Sequence, residues 1–291
     1  MKKRVVCAAL VSIMTMSLAA CSGGAVSAPA ETKAESTEAK TEAAEITEKA
    51  AEAEGETKAE GGTLIVGFDQ DFPPMGFMGD DGEYTGFDLE LAQEAAKRLG
   101  LEYKPQPIDW DAKDMELNSG SIDCIWNGFT MTGREDGYTW SEPYMENSQV
   151  FVVAGDSGIK SQADLAGKVV ECQVDSSAEA ALKEVPDLTA TFAQLLTTAD
   201  YNTAFMDLEQ GAVDAIAMDV VVAGYQISQR NADFVILEDS LAAEEYAIGF
   251  KKGNTELNDK VQGALEEMAA DGTLKTISEK WFGKDITTIG K

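Results

Sequence analysis

Residues 63–291 hold three guanidinium groups, Arg98, Arg134 and Arg230, and the whole chain contains no histidine. A guanidinium makes two parallel charge-assisted hydrogen bonds to a carboxylate, which makes arginine the side chain to examine first for anion capture. Arg98 and Arg230 sit late in helical patterns, where solvated or dipole-facing roles suffice. Arg134 is therefore the candidate carboxylate clamp, with a structural ion pair as the alternative. Without histidine, every Ser-His-Asp and Cys-His nucleophile pair is excluded, as is every His-ligated zinc or iron site.

Two other spacings fail as chemical motifs. Gly76, Gly79, Gly82 and Gly86 are placed as turns and not as a strand-to-helix GxGxxG fingerprint. Asp69-x-Asp71 runs into Pro73-Pro74, which breaks an EF-hand calcium loop. No metal and no cofactor is expected. The chain carries 52 acidic and 23 basic side chains, a formal net charge of -29. Such an excess repels nucleic-acid backbones and anionic headgroups, so nucleic acid is not an expected partner.

The elements that must position these residues begin after a leader and a spacer. Lys2, Lys3 and Arg4 precede the apolar run Val5 to Leu18, too short to span a bilayer as a helix. Leu18-Ala19-Ala20-Cys21 then resembles the lipobox of bacterial lipoproteins. The resemblance implies a signal peptide at 1–20, cleavage before Cys21 and acylation of its sulfur. Two or more acyl chains suffice for stable anchoring in the lipid bilayer. Residues 21–62 follow as the lipidated cysteine and a disordered acidic tether. Between Glu31 and Glu60 there are ten Glu and four Lys and no aromatic residue, a composition that cannot offset chain entropy by burial.

Strand and helix patterns alternate from residue 63 onward. Thr63 to Phe68, Ile122 to Trp126, Gln149 to Val153, Lys168 to Gln173, Val213 to Met218 and Phe234 to Leu237 read as strands. Asp88 is the expected cap of a helix ended by Gly100, and helices are expected over Val220 to Gln229, Leu257 to Met268 and Leu274 to Trp281. The alternation predicts an α/β fold with largely parallel sheets. The pattern L-x-x-G-x-[IV]-D-x-I occurs twice, at Leu117–Ile125 and Leu208–Ile216, as expected of two similar lobes.

Several ordered stretches resemble the polar amino-acid family of extracellular solute-binding proteins that serve ABC importers. They are Leu64–Asp69 leading to Phe72-Pro73-Pro74, Gly82–Leu89 with its G-F-D, Gly128–Thr132 with Arg134, and Trp140–Tyr144. Asp164–Val170, Ala217-Met218-Asp219 and Lys280–Gly283 complete the set. The resemblance implies a two-lobed periplasmic-binding-protein-like (type II) fold with two crossing hinge strands. Lobe 1 would hold 63–149 plus 245–291 and lobe 2 would hold 150–244, with hinges near Ser148–Val150 and Glu245–Ala247. Cys124 and Cys172 would then lie on strands of opposite lobes as free thiols.

By the same resemblance Arg134, Thr130 and backbone groups of Asn127 and Gly128 bind the ligand's carboxylate and ammonium. Asp219 matches the ammonium-binding aspartate, with a helix N-cap as its alternative. Ser177 is a carboxylate contact or a helix cap. Phe72 and Trp110 wall the ligand side chain, and Trp126 either narrows the pocket or belongs to the core. Asp69 matches a position that receives side-chain nitrogens, or it is a turn-forming aspartate. Two departures from the family pattern stand out: one residue fewer between Thr132 and Arg134, and Asp175 where Gly is usual.

The expected function is capture of a free polar amino acid, with an amide or basic side chain favoured, and its delivery to a membrane permease by hinge closure. The protein is expected to be an extracytoplasmic, lipid-anchored monomer and not an enzyme. A same-fold cyclohexadienyl-type dehydratase and a ligand-sensing input protein are the alternatives. The first lacks a marked general acid, and no spanning segment follows Gly283, as the second would require.

Overall fold

The computed structural model describes residues 61–291; the expected leader, Cys21 and the tether through residue 60 lie outside the described residues. Leu64, Val66 and Phe68 are fully buried along Thr63–Phe68, the alternation of a strand with one face in a core. This strand belongs to a five-stranded sheet ordered Glu102–Pro107, Thr63–Phe68, Cys124–Ile125, Gly249–Phe250, Thr139–Trp140. A second sheet is ordered Gln194–Thr198, Val169–Gln173, Ala215–Asp219, Met145–Ala154, Phe234–Ile236, with Ala242–Tyr246 also paired to Met145–Ala154. Each sheet is the heart of one lobe of the type II fold.

The sheets are mixed, which corrects the expectation of largely parallel ones. Thr63–Phe68 runs parallel to both its neighbours, and Val169–Gln173 does the same. Gly249–Phe250 and Met145–Ala154 pair antiparallel with all of theirs. The reason is connectivity. The chain enters the second sheet through Met145–Ala154 and leaves it through Ala242–Tyr246, so these two segments must run in opposite directions. They pair with each other over five residues, from Gln149↔Ala242 to Met145↔Tyr246.

The duplicated motif builds the same unit twice. The helices Lys113–Ser119 and Tyr201–Gln210 end on Gly120 and Gly211, both in the left-handed conformation. Each motif aspartate then clamps the neighbouring strand. Asp123 accepts the Ile65 N–H at 2.8 Å, and Asp214 accepts the Val169 N–H at 2.8 Å. Periodic apolar positions also place the helices at Val220–Gln229, Thr255–Asp271 and Thr273–Phe282. The free thiols Cys124 and Cys172 are buried on strands of different sheets.

One expected cap is corrected. The helix spans Phe87–Arg98, with Gly86 and not Asp88 at the cap position. Asp88 is fully buried and turns its carboxyl inward, where Oδ2 accepts the Gly128 N–H at 2.5 Å and the Tyr144 hydroxyl at 2.8 Å. Burial pushes this carboxyl up to about 7, against the pull of both hydrogen bonds. The role of Asp88 is to hold the loop on which the site is built.

Candidate functional site

A small cavity lies where the strand ends of the two sheets face each other. Asp69, Phe72, Trp110, Asn127, Gly128, Thr130, Arg134, Ser177 and Asp219 all line it, together with Gln173 and Ser176. The structure therefore brings all nine residues singled out from the sequence to one place. Trp126 is fully buried and packs beside Tyr144, so it belongs to the core.

The loop Trp126–Thr130 is set by backbone geometry. Gly128 has φ +55, and a Cβ there would come within 3.0 Å of both Phe72 Cε1 and Tyr246 Cε2. Only glycine fits such a turn without strain. With Gly128 pinned to Asp88, Asn127 turns its Oδ1 to accept the Asp69 N–H at 3.1 Å. The Asn127 amide nitrogen remains without a partner among the described residues.

Arg134 sits on an aromatic platform. Its guanidinium carbon is 5.3 Å from the Phe129 ring centroid, and Phe129 is itself packed by Trp110, Tyr138 and Trp140. The Trp140 indole N–H donates to the Arg134 carbonyl at 3.2 Å. Gly133, at φ +80, and an Arg134 N–H bond to the Met131 carbonyl form a tight turn that accommodates the missing residue. Nη1 donates to the Thr130 carbonyl at 3.2 Å and Nη2 to the Asp175 carbonyl at 3.4 Å. Arg98 is paired with Glu94 and Asp271, and Arg230 with Glu209. Among the described arginines, Arg134 alone has no carboxylate partner, which removes the ion-pair alternative from the residues described.

On the facing lobe, the helix Ser177–Glu184 is capped by Ser176, whose hydroxyl accepts the Glu179 N–H at 3.1 Å. Ser177 is thereby free of capping and instead accepts from Gln149 Nε2 at 2.9 Å. Asp175 adopts φ +54, the glycine-like conformation the family pattern demands, which aspartate tolerates better than most residues. Its carboxylate is bonded by the Lys113 ammonium from the other lobe, and its carbonyl accepts from the same group at 3.3 Å. Burial lowers the Lys113 amine, partly offset by Asp175.

Two buried carboxyls line the cavity. Asp69 Oδ1 accepts the Asp71 N–H at 2.8 Å, the turn role expected of it, while Oδ2 accepts from Gln173 Nε2 at 2.6 Å. Burial pushes its carboxyl up to about 6, with Asp71 and Asp200 adding to the rise. Asp219 occupies the N-cap position of Val220–Gln229 but its side chain makes no capping bond. Instead Oδ1 accepts from Asn147 Nδ2 at 2.7 Å, Gln149 Nε2 at 2.8 Å and the Tyr246 hydroxyl at 2.6 Å. Burial, and next the neighbouring Glu244, push Asp219 up to about 8.

The chemistry of this constellation is recognition: a guanidinium with unused donors, two buried carboxyls and two aromatic rings line one cavity. Residues 64–284 match the bacterial extracellular solute-binding proteins, family 3. The chain belongs to that family. This family-3 protein is 36% identical over 231 residues to the L-cystine-binding protein TcyJ of Escherichia coli (strain K12), covering 78% of this chain and 85% of TcyJ. It is 33% identical over 237 residues to the L-cystine-binding protein TcyA of Bacillus subtilis (strain 168), covering 78% and 83%. A Streptococcus pneumoniae ABC uptake transporter substrate-binding protein, solved with bound histidine, is 36% identical with a TM-score of 0.76, covering 78% and 94%. Similarity of this extent makes the chain an amino-acid-binding component of ABC transport.

Sequence reasoning missed several members of this solute-binding site. Gln173 and Ser176 line the cavity, and Asn147, Gln149, Glu244 and Tyr246 form the network behind Asp219. Asn147 and Gln149 stand at alternate positions of their strand, on the buried face, but they lie within the polar run Glu146–Gln149, which hides that alternation in the sequence. Thr130 also departs from the expected direct role, since its hydroxyl donates to Glu244 Oε1 at 2.9 Å.

Proposed function

We propose that this protein binds a single amino acid with a basic or amide side chain between its two lobes and presents it to an ABC permease. In this reading Arg134 clamps the α-carboxylate, with Ser177 contributing from the facing lobe, and Asp219 receives the α-ammonium. Phe72 and Trp110 enclose the side-chain stem, and Asp69 accepts hydrogen bonds from its terminal nitrogen. The observation that carries the reading is the polarity of the cavity: an arginine without a carboxylate partner among the described residues and Asp219 flank one part of it, and Asp69 stands at another.

Closure is a population shift toward the state in which both lobes touch the ligand. Gln173 to Asp69, Asn202 to Asp71 at 2.9 Å and Lys113 to Asp175 are the contacts that such a closed state gathers across the cleft. Acylation at Cys21 would keep the protein at the membrane outside the cytoplasm, in reach of its permease. The amino acid is returned unchanged, as a binding protein requires.

The names of TcyJ and TcyA favour a second reading, L-cystine. Its distal ammonium would suit Asp69, but its distal carboxylate would enter a mouth lined by Asp71, Asp109, Asp111, Glu116 and Asp200. Like charges there disfavour cystine relative to arginine, lysine or histidine. Thermal-shift and calorimetric titration against the twenty amino acids plus cystine and ornithine tests both readings. A basic or glutamine ligand supports the first, cystine the second, and no binding by any of them removes both.

A further inference from the structure

Behind Asp219 lies a second buried carboxyl with no cationic partner. Glu244 is 7% exposed and Asp219 is 2% exposed, and neither meets a lysine or arginine within salt-bridge distance among the described residues. Both carboxyls draw on the same neutral donors. Asn147 Nδ2 reaches Asp219 Oδ1 at 2.7 Å and Glu244 Oε1 at 2.6 Å; Gln149 Nε2 reaches the same two oxygens at 2.8 and 2.7 Å. Thr130 adds a bond to Glu244 and Tyr246 one to Asp219. Bonding to the same two amide nitrogens makes the two carboxyl groups close neighbours.

Two buried like charges that share their donors cannot both persist on neutral partners alone, since close like charges oppose one another's ionisation. The remaining ionisable groups facing the pair do not resolve the conflict. Tyr246 stands on the strand of Glu244, and Tyr144 packs on Tyr246 with ring centroids 6.5 Å apart. Tyr201, on the helix Tyr201–Gln210, donates its hydroxyl to the Ala217 carbonyl at 3.4 Å, and Arg134 lines the cavity from the other lobe. The tyrosines are neutral donors, and the Arg134 guanidinium bonds the Thr130 and Asp175 carbonyls and neither carboxyl of the pair.

We infer that Asp219 and Glu244 share one proton, and that an incoming amino-acid ammonium displaces it. This rests on the proposed role of Asp219 as ammonium acceptor. Capture would then be an exchange of cations. The carboxyl O–H proton passes to solvent, the ammonium takes its place against Asp219, and the pair becomes dianionic with one positive charge docked on it. Glu244 acts through Asp219 and is a positioning residue: it keeps Asp219 protonated until ligand arrives. The site would favour ligands whose charge compensates the lost proton, so an N-acetylated amino acid would be rejected for lack of a cation as well as for size.

The test is calorimetric titration at about pH 6.5 in phosphate and in a buffer of large ionisation enthalpy, using the tightest binder from the amino-acid panel. The difference in observed heat counts protons. About one proton released per wild-type binding event is expected, with affinity weakening up to about tenfold for each unit the pH is lowered. In Glu244→Gln, which keeps a hydrogen-bonding amide at the same place, release should fall below about half of that value. Binding by the wild type with no proton released overturns the inference and leaves the proposed function standing. Release unchanged in Glu244→Gln also overturns it. Failure of every amino acid in the panel to bind removes the function on which it rests. If Glu244→Gln does not fold, the count is repeated in Asp69→Asn, where release staying near one supports the inference and loss of the release overturns it.

Discussion

Lys113, almost fully buried, sends its ammonium across the cleft to the carboxylate and carbonyl of Asp175, a residue in a left-handed backbone conformation on the opposite lobe. The lysine packs over the Trp110 ring, 5.1 Å from its centroid, so the same contact braces an aromatic wall of the cavity. Removing the ammonium should loosen the closed arrangement without touching either core. We expect Lys113→Met to increase the ligand-free radius of gyration measured by small-angle X-ray scattering, with saturating amino acid restoring the wild-type value. Because Asp175 is more than half exposed, the effect on thermal stability should be small.

Arg134→Ala should weaken amino-acid binding by about 30- to 1000-fold, the range for truncating one partner of a desolvated charge pair. The melting temperature should be little changed, because the side chain holds only the Thr130 and Asp175 carbonyls. Arg134→Lys should recover little, since an ammonium lacks the planar fork. Calorimetry on the three proteins decides the matter, and wild-type affinity in Arg134→Ala would remove the clamp.

Asp69 should govern the choice of side chain and not the binding of the backbone. Asp69→Asn is expected to weaken arginine, lysine or ornithine by tenfold or more while changing glutamine by only a fewfold, on the order of one charge-assisted against one neutral hydrogen bond. With its carboxyl raised to about 6, acidification below that value should mimic the substitution for cationic ligands. Competition titrations at two pH values would show whether selectivity and charge move together.

Stability should rise as the solution is acidified from pH 8 to pH 5. Asp69, Asp88 and Asp219 are pushed up to about 6, 7 and 8 by burial. Each group's folded pKa lies above its unfolded one, so the native chain binds more protons than the unfolded chain throughout this window. Stability therefore falls as pH increases through it. The overall charge of -29 acts in the same direction. Melting curves at successive pH values should show the trend, and Asp88→Asn should flatten the part of it near neutrality.

The two-lobe architecture was legible because its repeating parts are local. Each motif aspartate needs only a helix end, a glycine turn and one strand to do its work, so Asp123 and Asp214 are visible as a pair at the same place in matching patterns. Glu102–Pro107 and Gln194–Thr198 were not recognised as strands. They are sheet edges, partly exposed and without a continuous apolar face, and only pairing to Thr63–Phe68 and Val169–Gln173 defines them. The mixed strand directions follow from the chain passing twice between lobes, a long-range fact with no local signal.

The candidate site was legible wherever one residue type is chemically singular, as with Arg134 among the three arginines of residues 63–291. It was not legible where function is shared among ordinary residues. Glu244 is one of many glutamates, and its sequence neighbour Glu245 is exposed. Only the pairing of Ala242–Tyr246 with Met145–Ala154 turns Glu244 toward Asn147 and Gln149. Asp88 was misread as a cap for a similar reason: its partners, Gly128 and Tyr144, lie 40 and 56 residues away.

The paired segments Met145–Ala154 and Ala242–Tyr246 also impose an order on recognition. In a rotation about that ladder, an atom travels in proportion to its lever arm. Asp219 is paired to Gln149 on the strand beside it, so its lever arm is short. Asp69 and Gln173 stand at strand ends of different sheets, so the 2.6 Å bond between them must break when the sheets part. The ammonium end of the ligand thus meets a berth that stays assembled at every opening angle, whereas the side chain is inspected only in the last degrees of the swing. An amino acid of the wrong kind would be seated and then refused.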